Sequence, residues 1–440
     1  LNLKIKLKAE LTFIDILLEA EYCKKMRASL FYLPLLLYGL LMPAFGQSQL
    51  QKIYLHPKAT GSEKQSKFVD SIRIIPLEIK EDIELTAYNS IDVTKNYFLI
   101  KDYTGKRILL YSKNGRFIKK ISYKKLGETI SPFYDEYSER IVFFGNNKNY
   151  TLTSRDQLKI MLDWSNPHNK KYFKKYAIDL NDTSFTIKKD IPTENDIIHA
   201  HHFYDDFYWQ GQITTSELYK DSLDYEFKIY KDRTLVKGFF PYNHINETRF
   251  LNTEESVGVN STDSPYIHVI TRPFYDTIYK MINDSIFPAY QLVLPLENSL
   301  PPSFFTKPSK NKTERDNFKR NNGWMFRQVY NFYETPRFIY FSVGYLGNYE
   351  SYIYQKQTNI TYKAKNIKPD SSQYNLQVLG NYGLSRKGNK FYKTQKAGDL
   401  LTFFTQNKNV PVPKELESFL KSNPHATTPV IVEFKLKNEQ

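Results

Sequence analysis

Cysteine is almost missing from this chain: one residue in 440, at Cys23. Long apolar runs are equally scarce. The conspicuous one, Leu30–Leu41, is interrupted by Pro34, followed by Pro43, and shorter than the roughly 20 residues of a membrane-spanning helix. Met26-Arg27 precedes it, and Ala44-Phe45-Gly46 places small residues at the two positions a signal peptidase reads. The stretch 26–46 is therefore expected to be a signal peptide cut near Gly46, before Gln47, leaving no transmembrane anchor in the mature chain. Residues 1–25 would be an over-extended start, and 47–66 a flexible lead-in. A chain cut there keeps no thiol, which excludes disulfides, cysteine-ligated zinc and a cysteine nucleophile. No cysteine follows the apolar run, so a lipid anchor is not expected either. The expected compartment is the periplasm or the cell surface.

Other absences narrow the function. The sequence has no G-x-x-x-x-G-K-S/T loop, no G-x-G-x-x-G after a strand, no H-E-x-x-H and no G-x-S-x-G elbow, so readings as a nucleotide-binding, nicotinamide-binding or zinc-protease chain lack support. The formal charge is +15, but the basic residues are scattered and no nucleic-acid-binding signature accompanies them; nucleic acid is not an expected partner. The charge reads as a lysine-rich solvated surface. A long helical period is missing as well, which argues against a parallel βαβ architecture.

What the chain does have is strand chemistry. Aromatics make up 16%, with 35 Tyr and 31 Phe, and such residues suit strands with one buried face. The clearest stretch is Ile91–Ile121, which reads as four short strands: Ile91–Val93, Tyr97–Lys101, Arg107–Ser112 and Phe117–Ile121. Turn residues separate them, and Asn114-Gly115 predicts a type I′ hairpin. One such unit cannot bury its own faces, so several must stack. A second copy is expected over Ser131–Leu162, at about the 40-to-50-residue spacing of propeller blades, and about six such units fit the chain. Strands are also expected at Tyr176–Ile178, Phe185–Lys188, His199–Trp209, Tyr225–Tyr230, Thr234–Phe240, Tyr266–Thr271, Tyr275–Met281 and Tyr290–Leu294. Residues 295–323 break the rhythm with Pro301, Pro302 and Pro308 and read as a long loop or insertion. Strands resume at Arg337–Val343, Tyr349–Gln355, Ile360–Lys365, Leu376–Gly380, Lys390–Lys393 and Leu400–Phe404. Lys414–Lys421 reads as a helix. Isolated strands at 68–79 and 429–436 are what a ring needs to close, one from each end of the chain.

The blocks FVDSIRIIPLEI, IDVTKNYFLIKD, RILLYSKNGRFIKKI, ETPRFIYFSVGYLGNYESYIYQKQTNITYKAK and PVIVEFKLK, in this order, resemble the six-bladed β-propeller proteins common in Bacteroidetes. The resemblance spans 67–437 and implies an all-β, six-bladed propeller closed by N- and C-terminal strands, in an exported protein, often a lipoprotein, of no settled activity. Two features depart from the family pattern. Its glycine-rich turn after the first blade is reduced to Leu126-Gly127-Glu128, and the lipid-attachment cysteine is missing.

The densest chemical cluster is His199-Ala200-His201-His202, followed by Asp205-Asp206 and Tyr208-Trp209. On one strand His199 and His201 would share a face. Imidazoles so spaced can hold a divalent metal with a third ligand; the plainer reading is a polar strand end with a turn at Asp205-Asp206. Asp135-Glu136, Glu254-Glu255 and Asp221 with Asp224 could do acid–base work if two faced one cleft; the plainer reading is charged turn residues. Trp324, Arg327 and Tyr330, after the insertion, could offer an aromatic and a guanidinium to a ligand, or fold the insertion onto the core. The expected ligand-binding residues are thus His199, His201, His202, Tyr208, Trp209, Trp324 and Arg327, with no catalytic residue assigned. Two functions follow. One is a monomeric envelope protein binding a peptide, glycan or protein partner on a loop face, with no cofactor. The other is a metal-dependent hydrolase or lactonase with its ion in the central channel, an analogy of fold alone.

Overall fold

A computed structural model describes residues 50–437 apart from 59–60, 81–82, 84–89, 127–131, 147–172, 191–200, 205–206, 212–222, 232–233, 244–255, 263, 265, 307–311, 381–383 and 423–426. The signal segment at 26–46, the start at 1–25, Cys23 and His199 lie outside the described residues.

Two strands come first, β1 (Gln51–Tyr54) and β2 (Val69–Pro76), and both are added to sheets built much later in the chain. The first complete blade follows as β3 (Ser90–Val93), β4 (Tyr97–Asp102), β5 (Arg107–Ser112) and β6 (Phe117–Ser122). Its pairing is antiparallel throughout, Leu99 facing Leu110 and Ile108 facing Ile121. The second blade is β7 (Phe133–Asp135), β8 (Arg140–Asn146), β9 (Phe173–Asp179) and β10 (Lys188–Asp190), and the third is β11 (His201–Tyr204), β12 (Phe207–Gln210), β13 (Leu223–Lys231) and β14 (Thr234–Asn243). The fourth blade, β15 (Gly258–Ser261), β16 (Ile267–Thr271), β17 (Thr277–Ile282) and β18 (Ser285–Val293), gains β1 as a fifth strand. The fifth is β19 (Phe326–Glu334), β20 (Phe338–Tyr345), β21 (Tyr349–Gln355) and β22 (Ile360–Lys363). The sixth takes β23 (Ser385–Lys387), β24 (Lys390–Lys396) and β25 (Pro429–Leu436) from the end of the chain and β2 from its beginning. Ile74 pairs with Val432 and Ile72 with Phe434, so the ring closes as the two isolated strands require. The protein is an all-β, six-bladed propeller.

Middle strands are buried on both faces because each blade is covered by its neighbours; every residue of β20 is buried. This explains why such strands read as continuous apolar runs rather than alternating ones. Apolar clusters fill the seams. Phe98, Leu109 and Tyr111 of blade one meet Ile75, Tyr392 and Ile431 of blade six. Leu110 of blade one meets Phe143 and Ile178 of blade two. Similar clusters join blades three and four through Phe227 and Met281, four and five through Ile278 and Phe341, and five and six through Tyr340 and Phe434. Among the described residues, no such cluster joins blades two and three.

Several expectations are corrected. Leu400–Phe404 is no strand but lies in the helix α3 (Ala397–Gln406); with α4 (Lys414–Lys421) it packs Leu400, Phe404, Leu416 and Leu420 against Ile74 and Val430 of blade six. The insertion is not a plain loop, since it holds α1 (Pro302–Thr306) and α2 (Lys312–Asn321), with Phe304 packed on Phe274 at 5.0 Å. Leu376–Gly380 forms no strand, and Phe185–Lys188 gives way to a strand that starts only at Lys188. The second unit takes its last two strands from Phe173–Asp190 rather than from 149–162, which lie outside the described residues. The segment 47–66, expected as a loose lead-in, contributes β1, whose Ile53 is fully buried. His199–Trp209 is two strands rather than one.

The Asn114-Gly115 hairpin exists, but not as type I′. That turn needs positive φ at both central residues, and of this pair only Gly115 has it, at 85°. Gly115 N–H donates to Ser112 O, and Ser112 N–H donates to Arg116 O. This is a three-residue loop ended by a left-handed glycine. A Cβ on Gly115 would run into the Pro76 carbonyl, so the turn of blade one sits directly on the end of β2.

Candidate functional site at the channel end

Strands β3, β7, β11, β15, β19 and β23 each form one edge of their sheets, the edge that faces the channel of a propeller, and the ends of β7, β15 and β23 gather there with β11. A cavity of about 440 Å³ lies there. Blade two supplies Phe133 to Tyr137, blade three supplies His201, His202 and Trp209, blade four supplies Val259, Thr262, Ser264 and His268, and blade six supplies Lys387. Four blades thus meet in one concave site of ligand size.

Cross-strand pairing sets the rings. His201 pairs with Trp209 and His202 with Tyr208, and in each pair the rings stack, at 4.4 Å and 4.6 Å between centroids. A register slip follows His202. Across the seam, Phe133 meets His201 at 5.5 Å and Tyr137 meets His202 at 4.1 Å. His202 is thus held between two tyrosine rings, one from each blade. Its Nδ1 lies 3.8 Å from Asp135 Oδ2, an ion-pair distance if the imidazole is protonated.

Charge is arranged rather than scattered. Burial works to raise Asp135, but His202 and the hydrogen bonds from Ser138 outweigh it and hold the carboxyl below its ordinary value; Ser138 Oγ–H donates at 2.5 Å. Lys387 Nζ reaches Glu136 at 2.7 Å and Glu139 at 3.7 Å, an ionic link from blade six to blade two. Tyr134 O–H donates to Glu139 at 2.7 Å, and burial together with that bond raises its ionisation far above the ordinary value. Burial lowers His268, with Glu136 opposing only in part, so this imidazole is neutral at pH 7. The cavity offers ring faces, carboxylate acceptors and imidazole and hydroxyl donors. Among the described residues, no three His, Cys, Asp or Glu are grouped to hold a metal ion.

The sequence-predicted residues are divided by this geometry. His201, His202 and Trp209 line the cavity, and Tyr208 stacks behind His202. Trp324 and Arg327 are not part of it. They lie at the start of blade five's inner strand, near the turn from β20 to β21, which is the other end of the channel. Trp324 is half-exposed, and its carbonyl accepts from Asn298 Nδ2 at 2.9 Å. Of the carboxylates read from sequence, Asp135 and Glu136 line this cavity, and Asp221, Glu254 and Glu255 lie outside the described residues. His268, Tyr137, Thr262, Ser264 and Lys387 were missed. Tyr137, Thr262, Ser264 and Lys387 share a position at or just past the end of a blade's first strand, and His268 lies opposite such an end, paired with Ser261; this becomes visible only once blade boundaries are known.

Comparison with known proteins agrees with the architecture. Residues 47–128 match a family described as 6-bladed beta-propeller, DUF5128. A Bacteroides fragilis protein, described provisionally as exported, superposes with a TM-score of 0.53 at 14% identity, covering 88% of this chain and 99% of its own. A Bacteroides vulgatus member of the DUF4221 family gives 0.42 at 12% identity, covering 84% and 98%, too loose to carry an argument. At these identities the likeness is one of fold. No curated protein matches the sequence. The resemblance to Bacteroidetes six-bladed propellers is upheld by the family match over the closing strand and first blade and by the ring itself. No described helix is long and apolar enough to cross a membrane.

Proposed function

We propose that the protein is an exported envelope propeller that binds a short glycan or peptide in the channel-end cavity. The carrying observation is the convergence of the His201, Trp209 and Tyr137 rings with Asp135 and Glu136 in about 440 Å³. Ring faces take the flat apolar side of a sugar or a peptide side chain, and the carboxylates accept from its hydroxyl or amide groups. The volume suits a small ligand or the end of a chain better than a broad protein surface. Support for export comes from the apolar stretch Leu30–Leu41 with its small-residue cleavage pattern, the near-absence of cysteine, and the description of the Bacteroides fragilis protein.

The test uses the full chain and a panel of soluble oligosaccharides and peptides, read by thermal midpoint and tryptophan fluorescence. At least one class should raise the midpoint, and Trp209→Ala should weaken its binding by about tenfold, the loss of one buried aromatic contact. A panel without a single binder, or equal affinity in Trp209→Ala, would overturn the reading. Export is tested separately by sequencing the mature N-terminus, which should begin at Gln47.

A further inference from the structure

The fixed charges of the channel-end cavity run against those of the chain. The chain carries +15, yet among the described residues lining the cavity two carboxylates, Asp135 and Glu136, stand against one ammonium, Lys387. A third carboxylate, Glu139, lies just behind, 3.7 Å from that ammonium. A concave wall of one sign concentrates its field and raises the local concentration of the opposite charge. Here the charge it draws in is a cation.

Lys387 shows how a cation is held at this wall. It lies at the end of β23 in blade six and reaches past blade one to blade two. Its Nζ meets Glu136 Oε1 at 2.7 Å and stands 5.7 Å from the centre of the Tyr134 ring. Carboxylates on one side and a ring face on another are the groups that hold an ammonium well. The protein thus lends the cavity an amine of its own, on a flexible four-carbon stem that can withdraw. Glu136 is not used up by it. Lys387 takes only Oε1, among the described residues no group holds Oε2, and the Glu136 side chain is 53% exposed. Trp209 lines the same cavity and offers an apolar face.

We propose that the ligand of this cavity carries a primary ammonium group, that of an amino sugar or of a lysine side chain, set against Glu136 with its apolar part on Trp209. This rests on the cavity being the ligand site and adds the charge that the ligand brings. Lys387 is then the ligand's competitor for the acidic wall.

The experiment is calorimetric titration of the full chain at about pH 6, where both amines are charged, with two matched pairs. One is the disaccharide of glucosamine against its N-acetylated form. The other is an end-blocked Gly-Lys-Gly peptide against its Nε-acetylated form, since acetylation removes the charge. In at least one pair the amine should bind at least about tenfold more tightly than its acetylated partner, the scale of one charged hydrogen-bonding contact. The pair that shows the margin identifies the source of the amine. Glu136→Gln should lose the margin while keeping the wild-type thermal midpoint. Lys387→Met should widen it, because the resident ammonium no longer competes; a lysine that only braced the blades would weaken binding when lost. Acetylated forms that bind as tightly as the amines, a margin that survives Glu136→Gln, or a margin that narrows in Lys387→Met overturns the proposal. So does the failure of both amines to bind at millimolar concentration. The cavity itself is judged apart from this: acetylated forms that bind, and bind more weakly to Trp209→Ala, would leave it a ligand site without the preference for charge.

Discussion

Two seams of this ring are built on different principles. The closing blade is joined by strand pairing and apolar packing: β25 lies between β2 and β24, with Val430, Ile431 and Val432 fully buried. The seam between blades two and three, among the described residues, is made by Phe133, Asp135 and Tyr137 against His201 and His202. The first joins the ends of an open chain and, among the described residues, lends the cavity one side chain, Lys387. The second joins blades that the chain already connects, and it can give packing over to polar groups. The cavity lies at the seam with less apolar packing, and polar groups held in costly surroundings are a feature of binding sites.

The comparison can be broken first at the closure. Val432→Asp would bury an unpaired carboxylate between two paired strands, at a cost of at least about 4 kcal/mol. That is a large fraction of a domain's usual stability, and urea denaturation should show a chain largely unfolded in buffer. Gly115→Ala strikes the contact between blade one and the end of β2. Its φ of 85° and the Pro76 carbonyl in the path of a Cβ predict a loss of about 2 kcal/mol or more, seen as a lower urea midpoint with an unchanged slope.

At the polar seam the effects should be smaller. Asp135→Asn is expected to cost about 1 kcal/mol at neutral pH, the scale of a hydrogen bond weakened rather than a core broken. Its sign with pH is fixed. Asp135 titrates below its ordinary value when folded, so its contribution is present above the unfolded carboxylate pKa and is lost as pH falls through the folded one. The variant should therefore be less acid-sensitive than the parent in denaturation series below pH 4. An equal acid slope would show that the seam does not rest on this carboxylate.

The last effect is alkaline. Lys393 on β24 is buried, donates to Gln377 O at 2.6 Å, and is pushed down to about 8 by burial. Lys113 is likewise lowered to about 8 by burial, with its ammonium 4.6 Å from the Phe98 ring. Between pH 8 and the ordinary lysine value the unfolded chain binds more protons than the folded one, so stability should rise with pH in that window. Above pH 10 it should fall again, because burial raises Tyr333 and Tyr345 to about 12. Lys393→Met should flatten the rise in the same denaturation series without moving the later fall.

Blade one was legible because its strands are short, apolar and separated by turn residues, and the closing strands stood out by their isolation. Leu400–Phe404 misled because leucine and phenylalanine serve either structure. Its spacing was the better guide: Leu400 and Phe404 are buried while Leu401 is exposed, the period of a helix. In the site, His201, His202 and Trp209 were found as a local cluster. Lys387 and His268 could not be, since they meet that cluster only through radial packing that no local window contains.

The ring's fastening also orders events in time. β2 is made early by the ribosome, yet its partner strand does not appear until residue 429. A nascent chain therefore displays one unmatched edge until β25 is made, and such edges invite adventitious pairing. Contacts this distant in sequence also slow the final folding step. The strand β25 thus acts as a timer, leaving the ring open until residues 429–436 have been made.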